Sequence, residues 1–266
     1  MPSRAFAGHN KWSKIKRKKA VNDAARNKVF TKILREIQFT LRGVDGDVTN
    51  SKAIQVLNKA KSAGVPKNNI EGAIKRATEK AEGSAFEMAE YEGTGPGGTL
   101  LIVSTLTDNR RRTGPAIRHI FSKFGGALGS SGAAGWAFDL NLGTLQLEGV
   151  RIKDAETIEE EALDIAMEHG NVIDAAFEQD GDEASTGSLV FLVDFVDTND
   201  IAIALQAFVE EKGYSLVTGV THQAKDENLI VVGDEEIAKS FEEMLDMFED
   251  DDDVQFVAHN ATIAIK

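Results

Sequence analysis

Between Gly8 and Lys19 the chain reads Gly-His-Asn-Lys-Trp-Ser-Lys-Ile-Lys-Arg-Lys-Lys. Its cations, Lys11, Lys14, Lys16, Arg17, Lys18 and Lys19, surround Trp12 and follow His9. Positive groups neutralise phosphates, and a ring among them can stack on a base or pack on a sugar. This run therefore carries the chemistry of a nucleic-acid contact. Trp12 alone has a competing reading as a core residue whose N–H needs one partner. For the cations the functional reading leads, because dense like charge repels itself without an anionic partner. A second basic group, Arg110-Arg111-Arg112, stands between a strand-like run and a helix-like one. It can clamp phosphates together with Arg118 and Lys123, or pair with the acids of the same half of the chain. Asp108 or Asn109 is placed to cap the helix that follows.

Other candidate chemistry fails on context. Gly93-Thr-Gly95-Pro-Gly97-Gly98 matches the spacing of a dinucleotide loop, but it leads into a strand-like run and so offers no helix N-terminus to a phosphate. A hairpin or strand-entry turn fits better, and Gly125-Gly126 with Gly129-Ser-Ser-Gly132 reads as a comparable flexible loop. Glu249 followed by Asp250 to Asp253 suggests a magnesium site, yet five acids in a row lack the spacing of a shaped cage. A hydrated turn after a helix is the simpler reading. His9, His119, His169, His222 and His259 are scattered without an i,i+4 pair, there is no cysteine, and no Gly-x-Ser-x-Gly elbow occurs. The expectation is a protein without catalytic residues, metal or cofactor, and with no small-molecule substrate.

Charge is sorted by position. Residues 1–82 carry 19 Lys/Arg against 7 Asp/Glu, and residues 83–266 carry 11 against 36, which together give the net −13. The acidic whole-chain balance hides a front end as basic as many nucleic-acid-binding modules. Composition is otherwise that of a globular protein, and no stretch is long and apolar enough for a membrane helix, so membrane insertion is not expected. Absence of cysteine fits a reducing compartment. Arg4-Ala5-Phe6-Ala7 resembles a matrix-import cleavage site, which points to the mitochondrial matrix, with the cytoplasm as the other reading.

The elements that must position these groups follow from periodicity. Val29, Phe30, Ile33, Leu34, Ile37 and Leu41 recur at helical spacing from Asn22 onward, and Gly43 stops the helix. Lys28, Lys32, Arg35 and Arg42 fall within about 80° of one another on the opposite side. A second helix spans Lys52 to Ala63, and a third begins at an Asn68-Asn69 cap with Ile70, Ala73, Ile74 and Ala77 inward. Residues 79–86 read as a linker. Residues 143–225 parse as one βαββαβ unit, flanked by half-units. The flanks comprise strands at Thr99–Leu106, Trp136–Leu140 and Val254–Ala258, with helices at Thr113–Phe124 and Asp234–Phe248. The fold class is α+β: a basic helical domain, 1–82, then a discontinuous α+β domain, 87–142 plus 226–266, with a ferredoxin-like domain, 143–225, inserted into it.

Several segments in order resemble the YebC/PmpR family, which includes the mitochondrial translational activator of cytochrome oxidase subunit one. They are Ala7-Gly-His-Asn-Lys-Trp-Ser-Lys-Ile-Lys, Lys28-Val-Phe-Thr-Lys-Ile-Leu-Arg-Glu-Ile, Val65-Pro-Lys-Asn-Asn-Ile-Glu, Tyr91-Glu-Gly-Thr-Gly-Pro-Gly-Gly, Leu106-Thr-Asp-Asn-Arg-Arg-Arg-Thr, Arg118-His-Ile-Phe-Ser-Lys-Phe-Gly-Gly and Leu245-Asp-Met-Phe-Glu-Asp-Asp-Asp-Asp-Val-Gln. The resemblance implies a helical domain with two ferredoxin-like α+β domains. It implies either a DNA-binding transcriptional regulator or a ribosome-associated factor that assists translation, including through proline-rich stretches. Asn10, where bacterial relatives usually have Ser, resembles the organellar branch. Two features depart from the family pattern: a short Gly43–Ser51 connection, and Arg111 where relatives often have Asn. The expected partners are the ribosome with ribosomal RNA or mRNA, and as a second reading DNA. Lys-dominated clusters read phosphates better than bases, which favours the RNA reading.

Overall fold

The structure is a computed structural model that describes residues 19–78, 86–179 and 185–264. It opens with three helices, α1 (Lys19–Gly43), α2 (Ser51–Ser62) and α3 (Lys67–Thr78). Ile33, Ile37 and Leu41 recur every four residues along α1 and are buried against Ala53, Val56 and Ala60 of α2 and Ile70 and Ala73 of α3. Asn50 caps α2 by accepting the N–H of Lys52. Val29 shares the apolar spacing but is 48% exposed. The two 12-residue helices are each about 18 Å long and cannot cover a 25-residue α1 of about 37 Å. The third helix starts at Lys67 rather than at an Asn cap, because the Pro66 carbonyl accepts the N–H groups of Asn69 and Ile70.

The remainder runs β1 (Glu87–Thr94), β2 (Leu100–Thr107), α4 (Arg110–Lys123), β3 (Ala127–Leu128), β4 (Phe138–Arg151), α5 (Ala155–His169), β5 (Val172–Gln179), β6 (Thr186–Val193), α6 (Thr198–Lys212), β7 (Ser215–Ala224), β8 (Ile230–Val232), α7 (Glu235–Asp250), β9 (Val254–His259) and β10 (Ala261–Ile263). The described residues divide into two compact units, 140–222 in one and those of 19–139 and 223–264 in the other. The 140–222 unit has sheet order β5-β6-β4-β7, the ferredoxin-like arrangement of a βαββαβ chain. Leu145 and Leu147 of β4 alternate inward with period two and meet Ile158, Ala162 and Ala166 of α5 and Leu205 and Val209 of α6.

In the other unit the sheet order is β3-β1-β2-β9, with all three neighbour pairs antiparallel. Its core joins Leu101 and Val103 of β2 to Ile117 and Phe121 of α4 and Phe241, Met244 and Phe248 of α7. Ile102 and Ala258 face a smaller cluster with Ala134, Ala137 and Phe138. Burial on both faces accounts for the unbroken apolar run in β2.

Four details differ from the sequence reading. β1 is a strand, although Glu87-Met-Ala-Glu-Tyr-Glu has too many acids to read as one. Trp136–Leu140 is not a separate strand: Trp136 and Ala137 lie in a 3-10 turn, and Phe138 begins a single β4 that runs on to Arg151, with φ 56° at Asn141. β8 and β10 are three-residue parallel partners, too short for any period to show. The Gly129–Gly132 loop is pinned rather than free: the Glu92 carboxylate accepts the N–H groups of Gly132, Ala134 and Gly135, each at 2.7 Å.

The Gly93–Gly98 string is a hairpin turn, with Thr94 paired to Leu100 and positive φ at Gly97 and Gly98. Gly93 is held by close packing: a Cβ there would lie 2.6 Å from the Ala127 carbonyl and 2.8 Å from the Phe121 ring. Gly93→Ala is expected to destabilise this unit by about 1–3 kcal/mol, the usual cost of overpacking, measured as a lowered denaturation midpoint.

Candidate nucleic-acid interface

On the side of α1 away from Ile33 and Ile37 lies a stripe made by Lys28, Lys32, Arg35 and Arg42. At about 100° per residue, Phe39 falls in the middle of that arc, within about 20° of Lys28 and Lys32. It is 38% exposed, an aromatic ring among cations. Phe39 and Arg42, with Lys52 of α2 and Phe86 just ahead of β1, line an open cavity of about 400 Å³. Arg42 and Lys52 make no side-chain hydrogen bond or ion pair among the described residues. This end of the stripe offers two rings and two uncompensated charges, the ingredients for stacking a base and neutralising its flanking phosphates.

The other end of the stripe is occupied. Lys28 pairs with Asp250 at 2.8 Å, and the Lys32 ammonium donates to the Glu249 carbonyl at 2.9 Å. Arg35 donates to the Asp252 carbonyl and to the Asp253 carboxylate, each at 2.6 Å, with its guanidinium 5.9 Å from the Phe86 ring centre. α7 has no basic residue in its last turn, so Lys32 supplies the cation that its terminal carbonyls want.

The acidic run is built around Asp253, which is 5% exposed. Its carboxylate accepts from Thr113 at 2.6 Å, from Arg112 at 2.9 and 3.0 Å, from Thr107 at 3.3 Å and from Arg35. Its carbonyl accepts the Leu106 N–H at 2.7 Å. The run is therefore not simply a hydrated turn: Asp250 and Asp252 face water, while Asp253 joins α1, β2, α4 and β9.

The three arginines lie in the first turn of α4, capped by Asn109 through the Arg111 N–H, and not in a loop before it. Arg110 pairs with Glu87 at 3.0 Å and donates to the Met88 carbonyl at 3.0 Å. Arg112 bridges Asp108 and Asp253. Arg111 and Arg118 are exposed and have no such partner among the described residues. His9, Lys11, Trp12, Lys14, Lys16, Arg17 and Lys18 lie outside the described residues, and of Lys19 only the backbone is described. Sequence reading missed Asp253 and the Phe39 cavity. The helical phase of Phe39, off the apolar arc and inside the basic one, was the available signal for the second. Among the described residues no cluster of three or more His, Cys, Asp or Glu side chains could hold a metal ion, and no helix is long and apolar enough to cross a membrane.

The comparisons with known proteins cover nearly the whole chain. Residues 10–80 match the model of the TACO1/YebC protein N-terminal domain, and residues 86–261 match that of the TACO1/YebC second and third domain. The chain belongs to the TACO1/YebC family. A probable transcriptional regulatory protein of Treponema denticola is 36% identical over 259 residues, covering 97% of each chain. One from Clostridium novyi is 37% identical over 257 residues, covering 96% of this chain and 97% of its own length. The crystal structure of a conserved hypothetical protein from Aquifex aeolicus shares the fold, with a TM-score of 0.77 and 32% identity over 96% of this chain and 98% of that one.

In this TACO1/YebC chain, burial alone would raise the Asp253 carboxyl, but the Thr113 and Arg112 hydrogen bonds and the charges of Arg112 and Arg35 outweigh it. The carboxyl is held below its ordinary value. Burial pulls the Lys32 ammonium down, against the opposing pull of Glu249, Asp251 and Asp252. Asp253 binds fewer protons folded than unfolded just below its ordinary pKa. Its stabilisation is thus complete above about pH 4 and is lost as pH falls through the lower folded value. Asp253→Ala leaves Arg112, Thr113 and Arg35 facing an emptied site and is expected to cost about 3 kcal/mol. In denaturant melts the difference between Asp253→Ala and the parent should shrink as the pH is taken from 7 to 3.

Proposed function

We propose that this chain is a nucleic-acid-binding regulator of gene expression that reads phosphate rather than base edges. Its preferred target is the RNA of the translation machinery. The observation that carries the reading is the α1 stripe, cationic along its length, with Phe39 at its open Arg42–Lys52 end. Lysines and arginines arranged this way hold a backbone, and a ring beside them accepts any base that unstacks. Arg111 and Arg118 on α4 supply a second cationic surface. The residues His9 to Lys19 add the densest charge, and the acidic remainder of the chain opposes indiscriminate coating of RNA. On this reading the protein acts by binding and positioning, with no chemical step of its own, in the mitochondrial matrix as Arg4-Ala5-Phe6-Ala7 and Asn10 suggest.

A second reading, a DNA-binding transcriptional regulator, is favoured by the names of the bacterial relatives, which are probable transcriptional regulatory proteins. It predicts tight binding to a defined duplex with steep mismatch penalties. Sedimentation of the full chain with ribosomes, before and after RNase, followed by crosslink mapping, separates the two. Co-migration lost on RNase treatment, with crosslinks near Phe39 and the basic arm, supports the RNA reading. Absence from ribosomes with selective duplex binding overturns it in favour of the second. Arg42→Ala with Lys52→Ala is expected to lower the salt slope of single-stranded RNA binding by about 0.7 per lost phosphate contact; an unchanged slope would remove the cavity from the interface.

A further inference from the structure

We infer that the acidic run Glu249–Asp253 is an intramolecular stand-in for a nucleic-acid backbone, and that a polynucleotide seated on the α1 stripe exchanges with it. The inference rests on the nucleic-acid reading above and adds to it a surface and a means of control. Lys28, Lys32 and Arg35 span seven residues of helix, about 10 Å. That is the reach of a short run of consecutive phosphates on one strand, the unit a set of lysines and arginines neutralises. Against them one short segment lays a row of oxygens: the Asp250 carboxylate, the Glu249 and Asp252 carbonyls and the Asp253 carboxylate, at 2.6 to 2.9 Å. The run ends before the stripe does: among the described residues, none of those lining the cavity beside Phe39 and Arg42 is an acid. A strand entering at the open end therefore meets a continuous track whose far part is already filled with negative charge.

The contacts are graded in a way that permits exchange. Asp250 and Asp252 side chains are 68% and 53% exposed, and such pairs are weak and screened by salt. An acid at the end of α7 is also opposed by the helix dipole, so Asp250 depends on Lys28 for compensation. Asp253 is 7% exposed at its side chain and is tied to Arg112 and Thr113 of α4, so it stays when the outer pairs part. The strand gains Lys28 and one edge of Arg35, while the core of the unit is untouched.

The test uses the full chain and a fluorescent single-stranded oligouridine, titrated by anisotropy over a range of salt. Asp250→Asn with Asp252→Asn keeps the side-chain size and removes two water-facing charges. It is expected to bind at least threefold tighter at low salt, with a steeper salt dependence. Glu156→Gln with Glu160→Gln on α5, exposed acids of the other unit, removes the same charge and should leave affinity within a factor of two. In the unmodified chain, hydrogen exchange at 249–252 should quicken on adding the oligonucleotide. Equal affinity of the Asn variant and the parent, equal tightening by the α5 control, or no change in exchange would overturn the exchange while leaving the nucleic-acid reading standing. If neither protein binds the oligonucleotide or a DNA duplex, both fall together.

Discussion

A single buried carboxylate organises the part of the molecule where basic and acidic segments meet. Asp253 sits where β9 begins, beside the end of β2 and the first turn of α4, and receives two hydroxyls and two guanidinium groups. Burying a carboxylate is costly unless donors surround it, and here they come from three separate elements. Because Thr107, Thr113, Arg112 and Arg35 are all committed to one acid, α1 is tied to this sheet by charge, while its apolar face is spent on α2 and α3. The bland-looking acidic run is thus a joint, and its outer members are placed by it.

That joint changes how the cations should be counted. A sequence sums Lys28, Lys32, Arg35, Arg110 and Arg112 as available positive charge, but the fold pairs four of them with carboxylates and ties Lys32 to the Glu249 carbonyl. Among the described candidates, what remains open is Arg111 and Arg118, together with Arg42 and Lys52 beside two rings. The electrostatic surface available to a phosphate is smaller than composition suggests and is displaced towards the C-terminal end of α1. Glycine plays a matching part on the sheet, where Gly93 allows close packing against backbone and ring and Gly97–Gly98 take the positive φ of the turn.

Much of this was legible in the residues. The four-residue recurrence of Ile33, Ile37 and Leu41 marked the core face of α1, and the βαββαβ rhythm of 143–225 marked the ferredoxin-like sheet. β1 was hidden because its edge carries three glutamates whose value lies in tertiary contacts, as Glu92 shows by gathering the amides of another loop. β8 and β10 were hidden because three residues cannot display a period. Asp253 was hidden for a deeper reason: five adjacent acids look alike in a string, and only the three-dimensional neighbours of one of them make it different. Phe39, by contrast, was visible as a ring on the wrong face of its helix, and went unread because the eye followed the charges around it.

The Lys32 contact with the Glu249 carbonyl joins residues 217 positions apart in the chain. Translation makes the lysine well before the carbonyl. Until residues 249–253 are made, α1 has none of the oxygens it lies against in the folded protein. A nascent chain of this protein carries Lys28, Lys32 and Arg35 uncovered, and their cover arrives only when residues 249–253 have left the tunnel.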